Sequence, residues 1–368
     1  MNIAKPKILY VDTEFLREKT YFSKLCLVQV NDASGEARAL DPLDDGVDME
    51  PVYADLLNPD ILKVLHSGKQ DLEIFYHELG AVPAPIFDTQ VAAALLGYGE
   101  QVSYASLVKT VCDVELDKGH QFGDWSRRPL TDAQLHYALN DVVYLPAIYE
   151  RLAGEIADKG RESWLEETQQ SLLDPATYAI DAENIWERIK IRSNKSRDMV
   201  VLQALAKWRE ERAVEKNLPR NFILKDDTLA EIAMTKPKDV QALSRVRGLS
   251  ESQAKGWMGK AILGLMKEAL AKPKEDWPKA PRKTPFPSDL DAALDMVRML
   301  LKAKAAEAGI APTLIATTDD LKTYLTGPDN PDHPLNKGWR YDIFGHAVHD
   351  LVQGKLACTL QNGTIIFR

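Results

Sequence analysis

Apolar residues run in short blocks over the first ninety positions and recur at helical spacing afterwards. Residues 7–15, 24–31 and 36–41 have strand length and strand chemistry. Arg17 to Ser23 and the Asn31-Asp32-Ala33-Ser34-Gly35 turn break them. An amphipathic stretch at 49–57 precedes a buried-strand run, Ile61-Leu62-Lys63-Val64-Leu65, which stops at His66-Ser67-Gly68. A helix follows from Lys69 to Leu79 and is closed by Gly80. Pro83 to Phe87 is short and extended, and Asp88-Thr89 caps a helix through Ala92 to Leu96. Helical periodicity then covers 103–112, 131–142 and 146–158. Strands first, then alternating helix and strand, predict an α/β mixed sheet covered by helices over about 1–175.

From about residue 160 no convincing strand occurs until the last few positions. Asp181 to Arg192 predicts a bridging helix. Residues 197–216, 226–234, 238–244 and 250–271 predict a small all-α unit within 190–275, with Pro219, Pro237 and Gly248 in its turns. Lys272 to Pro287 has linker composition. Residues 288–368 start with a helix at 288–308 and pass through a Gly/Pro/Asn-rich loop at 327–338. They end in a short hairpin or extended tail around Leu360 to Phe367. This segment reads as a second, diverged copy of the helical unit.

A length of 368 residues suits two or three domains. The N-terminus lacks a signal-peptide pattern, and no apolar run reaches the eighteen or so residues of a membrane span. Three scattered cysteines, Cys26, Cys112 and Cys358, argue against a zinc cluster and for a reducing compartment, so a cytoplasmic protein without a membrane partner is expected. The net charge of −9 conceals an asymmetry: residues 187–283 carry a balance of +10 and the remainder −19. A basic module within an acidic protein can bind a polyanion locally.

Asp12 and Glu14 close the first strand two residues apart, hence on one face. Adjacent carboxylates repel, and a divalent cation with oxygen ligands compensates them. Asp71 lies at the start of the helix after the apolar strand 61–65, at the sheet edge where α/β proteins bind ligands. Tyr137 and Asp141 share a face of a helix opened by Thr131, with Gln134 completing a capping box. Taken singly, each has an ordinary reading: hydrated strand-end acids, a first-turn Asp, a half-buried Tyr. Together, four carboxylates at one end of a sheet suit a pair of cations roughly 3.5–4 Å apart, the arrangement that serves in-line phosphoryl displacement.

These motifs resemble the DEDD superfamily of 3′–5′ exonucleases, which has a ribonuclease H-like fold. Within it they are most similar to the ribonuclease D family. Asp12 and Glu14 match the first motif, Asp71 the second, and Tyr137 with Asp141 the third. Supporting residues are His66-Ser67-Gly68-Lys69-Gln70-Asp71-Leu72-Glu73, Phe87-Asp88-Thr89-Gln90 and Trp125-Ser126-Arg127-Arg128-Pro129-Leu130. The superfamily divides by whether Tyr or His accompanies the last Asp, and this chain offers both Tyr137 and His136. On a helix Tyr137 faces the way Asp141 does and His136 does not, so Tyr137 is the expected member. The resemblance implies two-metal hydrolysis with Mg²⁺ or Mn²⁺ held by Asp12, Glu14, Asp71 and Asp141. Tyr137 would orient the attacking water, and nucleoside 5′-monophosphates would be released. Phe15, His66 and Arg128 are candidate nucleic-acid contacts, although Phe15 also suits a strand end and Arg128 a local ion pair. Asp88, Asp113, Asp117 and Asp124 suit caps and turns.

Residues 196–272 resemble the small helical HRDC domain shared by ribonuclease D and certain DNA helicases. The carrying residues are Leu205-Ala206-Lys207-Trp208-Arg209, Asn217-Leu218-Pro219-Arg220-Asn221-Phe222-Ile223-Leu224, Asp227-Thr228-Leu229, Lys236-Pro237 and Leu243-Ser244-Arg245-Val246-Arg247-Gly248-Leu249. The segment is also the basic one, so Lys207, Arg209, Arg220 and Lys225 are candidates to grip RNA backbone. No Walker motif is present, which excludes a helicase motor. The expectation is an exoribonuclease trimming the 3′ ends of tRNA precursors and other structured RNAs, with no protein partner implied. The alternatives are a 3′–5′ DNA exonuclease of identical chemistry and an RNA-binding protein on an inactive nuclease fold.

Overall fold

The computed structural model describes residues 7–32, 35–117, 119, 123–279, 285–362 and 364–368. Positions 280–284 of the expected linker, 33–34 of the first turn and the extreme N-terminus lie outside the described residues. The described part forms two compact units, one from residues 7–15, 25–178 and 285–368, the other from 16–24 and 179–279.

The first unit holds a five-stranded sheet of β1 (Lys7–Leu16), β2 (Lys24–Asn31), β3 (Ala37–Leu40), β4 (Ile61–Leu65) and β5 (Ile86–Asp88), in the order β3-β2-β1-β4-β5. Strand β1 pairs parallel with β4, Leu9 opposite Lys63 and Tyr10 opposite Val64, and β4 pairs parallel with β5. Strands β2 and β3 are antiparallel. The sheet is therefore mixed, of the ribonuclease H-like kind.

Continuous apolar runs build these strands because both faces are covered. On one face Leu9, Val11 and Leu65 meet Val52 and Leu56 of α1 (Glu50–Leu57) and Leu72 and Phe75 of α2 (Lys69–Leu79). On the other, Tyr10, Val64 and Phe87 meet α3 (Thr89–Leu96), α4 (Tyr104–Cys112), α5 (Asp132–Val143) and α6 (Leu145–Asp158). A further helix, α7 (Glu162–Leu173), had no sequence signal because its N-cap, Arg161, makes no side-chain capping bond.

The C-terminal segment shares that second core. Leu294, Val297 and Leu301 of a helix over Asp291–Ala308 bury with Leu95, Ile156 and Leu165. Trp164 stacks on Trp339 at 4.8 Å, and the Arg161 guanidinium donates to the Leu95 and Ala308 carbonyls. The tight fit reaches the backbone: a side chain at Gly97 would meet the Gly309 carbonyl oxygen at 2.4 Å.

The second unit has its own core. Its helices are α8 (Ser196–Lys216), α9 (Arg220–Ile223), α10 (Asp226–Thr235), α11 (Val240–Leu243), α12 (Glu251–Lys255) and α13 (Trp257–Ala271). The helix expected over 181–192 is only a 3₁₀ turn, Ile185–Arg188, because the Asp181 carboxylate draws the Asn184 backbone and side chain into a local turn. The helix expected over 250–271 breaks at Gly256, whose backbone is extended at ψ −166°.

One backbone pattern occurs twice. After α8, Asn217 turns left-handed, α9 follows at 220–223, Leu224 is extended at φ −156° and ψ 140°, and α10 opens at 226. After the helix ending at Ala308, here α14, Gly309 turns left-handed. Then α15 (Pro312–Ile315) follows, Ala316 is extended at φ −154° and ψ 139°, and α16 (Thr318–Thr326) begins. The residue spacing is identical. The chain ends in an antiparallel hairpin of β6 (Cys358–Gln361) and β7 (Thr364–Phe367).

Candidate active site

Strand β1, the β4–α2 turn and helix α5 bring the acidic residues together. Ligand oxygens of Asp12, Glu14 and Asp141 all lie within 4.8 Å of one another. Asp71, buried in the first turn of α2, accepts a hydrogen bond from the Thr13 hydroxyl, which ties it to β1 between the two acids. Asp88 organises the turn before it. This carboxylate, 2% exposed, accepts from Ser67 N at 3.1 Å and Gly68 N at 2.9 Å. It also caps α3 by accepting from Gln90 N at 2.8 Å and Val91 N at 3.3 Å. Ser67 is left-handed at φ 58°, and a side chain at Gly68 would meet Leu65 Cβ at 2.8 Å. Asp88 is thus the cap and turn residue that its sequence context suggested.

Asp71 is buried and Asp12, Glu14 and Asp141 are half-buried, with no cation paired to them among the described residues, and their protonation reflects it. Burial, then the charges of Asp141, Asp71 and Glu14, hold the Asp12 carboxyl well above its ordinary range. Burial with Asp141 and Asp71 pushes Glu14 up to about 8. Burial and Asp71 push Asp141 up to about 7, and burial brings Asp71 to about 6 despite the Thr13 hydrogen bond. Such an all-oxygen cluster is the donor set of a hard divalent cation, and the residues fit such an ion.

Tyr137 stands one turn before Asp141, half-buried, with Trp125 at 6.1 Å from its ring. Burial, then Asp141, Glu14 and Asp12, raise its phenol above the ordinary value. His136 is exposed on the same helix.

Further residues support the site, Tyr104 and Asn31 among them without any sequence signal. Tyr104 donates from its hydroxyl to the Asn140 carbonyl at 3.0 Å, beside Asp141, and packs against His66 at 5.5 Å. Asn31, at the end of β2, donates to the Val142 carbonyl at 3.3 Å. His66 has both ring nitrogens engaged, Nδ1 with the Thr89 hydroxyl at 2.9 Å and Nε2 with the Val102 carbonyl at 3.1 Å, and burial lowers its pKa. Phe15 packs against the core beside α1 and α2.

Arg128 commits all five of its N–H donors internally. Nε and Nη2 grip the two Asp41 oxygens at 2.5 Å each, Nη2 also meets the Cys26 carbonyl, and Nη1 meets the Trp125 and Arg127 carbonyls. A phosphate contact would require breaking that clamp, and of the two sequence readings the local ion pair is the one present.

In the helical unit, Arg209 is 2% exposed and bound to Asp226 and the Leu224 carbonyl, which corrects its place among the surface cations. Lys207 pairs with Glu183 on the surface. Arg220 makes a forked pair with buried Glu210 at 2.5 and 2.6 Å. Lys225 is exposed at the N-cap of α10.

A family model described as 3′-5′ exonuclease matches residues 1–157, and the HRDC domain matches 198–266. The chain is 46% identical to ribonuclease D of Jannaschia sp., over 94% of its own length and 90% of that protein. It is 43% identical to ribonuclease D of Zymomonas mobilis, over 99% and 93%. The crystal structure of Escherichia coli RNase D, described as an exoribonuclease involved in structured RNA processing, superposes with a TM-score of 0.81 at 29% identity. That match covers 94% of this chain and 93% of the other. Among the described residues no helix is long and apolar enough to cross a membrane. The chain belongs to the ribonuclease D family of 3′–5′ exoribonucleases.

Proposed function

We propose that this enzyme removes nucleotides one at a time from the 3′ ends of structured RNAs such as tRNA precursors, in the cytoplasm, releasing nucleoside 5′-monophosphates. The observation that carries the reading is the convergence of Asp12, Glu14 and Asp141 within 4.8 Å, with Asp71 tied to the same strand. The role described for the E. coli relative supports the choice of structured RNA.

Asp12, Glu14, Asp71 and Asp141 would hold two divalent ions, Mg²⁺ or Mn²⁺. When bound, these supply the positive charge that activates a water and stabilises the leaving 3′-oxygen. The protein does the rest. Partial burial of the carboxylates lowers the local dielectric and strengthens the charge interactions at the scissile phosphate. Tyr137 stays protonated at neutral pH, so its hydroxyl orients the attacking water by hydrogen bonding and does not serve as the base. Thr13, Asp88 and Tyr104 hold the acids in register. Phe15 and Lys225 remain proposed contacts to the nucleic acid.

We also read residues 288–368 as a diverged second copy of the helical unit of 190–275. The repeated helix, left-handed turn, short helix and extended residue support this. Leu301 stands where the first copy has Arg209, as suits a copy buried against the helices that cover the sheet.

The test compares a 3′-extended tRNA with a matched single-stranded DNA, both labelled at the 5′ end, in Mg²⁺, in EDTA and with Asp141→Ala. A metal-dependent ladder shortening from the RNA 3′ end, lost with Asp141→Ala, is expected. Equal trimming of DNA would move the assignment to a DNA exonuclease, and binding without trimming to a binding protein.

A further inference from the structure

We propose that Trp257, with the Arg212 guanidinium laid over it, is a stacking platform by which the helical unit holds single-stranded RNA. The proposal rests on the reading of this chain as an RNA-degrading enzyme.

Three of the four cations that the sequence singled out are consumed within the fold; Lys225 is exposed. Arg209 is buried on Asp226, Arg220 is forked onto Glu210, and Lys207 is bound to Glu183. The +10 balance of this segment therefore overstates its grip on phosphate. The unit's surface offers something else. Among the described residues two large apolar side chains are more than half exposed, Phe222 at 62% and Trp257 at 57%, and both lie in the basic unit.

Trp257 is the one held in place. It is the first residue of α13, directly after the extended Gly256, and the next residue, Met258, takes the core position. The Arg212 Cζ sits 4.7 Å from its ring centroid, and the Trp208 ring, packed on the unit's core, supports it at 6.2 Å. Arg212 and Trp208 are one turn apart on α8, so they present one face. Lys260 is exposed beside the ring in sequence, whereas Lys255 pairs with Glu251 at 2.5 Å and Arg212 with Glu215.

An indole this exposed is costly in water unless something covers it. A nucleobase suits the site because its face stacks on an indole or a guanidinium plane, whereas its phosphate needs nearby positive charge. Stacking is tolerant of sequence, as an enzyme that moves along a 3′ strand requires. The net positive balance of residues 187–283, with exposed Lys260 next to the ring in sequence, favours RNA over a second protein as the occupant.

The experiment measures binding of a 5′-labelled, 12-nucleotide oligoadenylate by anisotropy in EDTA, so that nothing is degraded. Wild type is compared with Trp257→Ala, Trp257→Phe and Arg212→Gln. Trp257→Ala is expected to weaken binding about tenfold, the size of one lost base stack, and Trp257→Phe to stay within about threefold of wild type. The steepness of the salt dependence should be unchanged by Trp257→Ala, since no phosphate contact is removed. On a 3′-extended tRNA in Mg²⁺, KM should rise with kcat unchanged. Thermal melting of each variant verifies folding, and the Phe variant keeps the test meaningful should the Ala variant unfold. Wild-type binding by folded Trp257→Ala would overturn the platform. So would a wild-type dimer that Trp257→Ala converts to monomer, which would make the face a protein interface. Failure of wild type to degrade any RNA would instead sink the underlying functional reading.

Discussion

Replacing Asp88 with Ala is expected to damage two elements at once. Its carboxylate accepts four backbone N–H bonds, two from the first turn of α3 and two from the Ser67-Gly68 turn before Asp71. Loss of a helix N-cap costs about 1–2 kcal/mol. Two further N–H groups, buried Gly68 and part-buried Ser67, lose their acceptor and add roughly 1–3 kcal/mol, giving about 2–5 kcal/mol in all. Asp88→Asn keeps one oxygen for the three bonds made by Oδ1 and loses the bond from Gly68 N, so about half that loss is expected. Urea unfolding of the metal-free protein reads the stability. Because Gly68 precedes Asp71 by three residues, relaxation of the turn shifts a catalytic carboxylate. A shift near 1 Å is worth about a hundredfold in kcat. Stability within about 1 kcal/mol of wild type and an unchanged kcat for Asp88→Ala would show that the turn does not depend on this carboxylate, and the reasoning would fail.

Arg128→Lys should cost about 2–4 kcal/mol, since a Lys cannot reproduce a planar fork with five bonds. The salt dependence of RNA binding should not change. Arg128 holds the Asp41 carboxyl below its usual range, so this stabilisation is full above pH of about 4 and fades as pH falls further; acid unfolding of wild type and variant should show the difference there and converge below. In EDTA the active-site acids behave oppositely. With Glu14 at about 8, Asp141 at about 7 and Asp71 at about 6, the folded state retains protons that the unfolded chain has released. Stability should therefore decline as pH rises from about 4 to 8. Asp141→Asn should flatten that decline and stabilise the chelated protein by about 1 kcal/mol while abolishing trimming, as calorimetry and the ladder assay can show. Tyr104→Phe removes one hydrogen bond to α5, so a loss of about 1 kcal/mol is expected, with a larger drop in kcat than in substrate affinity; an unchanged kcat would deny Tyr104 a positioning role.

Several features were legible in the chain because they depend on local spacing. Alternating and continuous apolar runs specified the strands of the sheet, since burial on one or both faces imposes those patterns. Asp12 and Glu14 share a strand face, and Tyr137 and Asp141 share a helix face, by the periods of the backbone alone. The Thr131 capping box and the Asp88 cap were equally local. What needed tertiary structure were the pairings between distant residues. Nothing near Arg128 in sequence announces Asp41, and nothing near Arg209 announces that the middle of α8 is buried against Asp226. Lys63 interrupts an apolar strand, yet its ammonium is buried on the carbonyls of Asn58, Ile61 and Ala84. The same holds for Tyr104, whose hydroxyl meets α5 thirty-six residues away. A charged side chain reads as a surface residue until the fold supplies its partner, because its cost of burial is set by the groups that surround it and not by its neighbours in sequence.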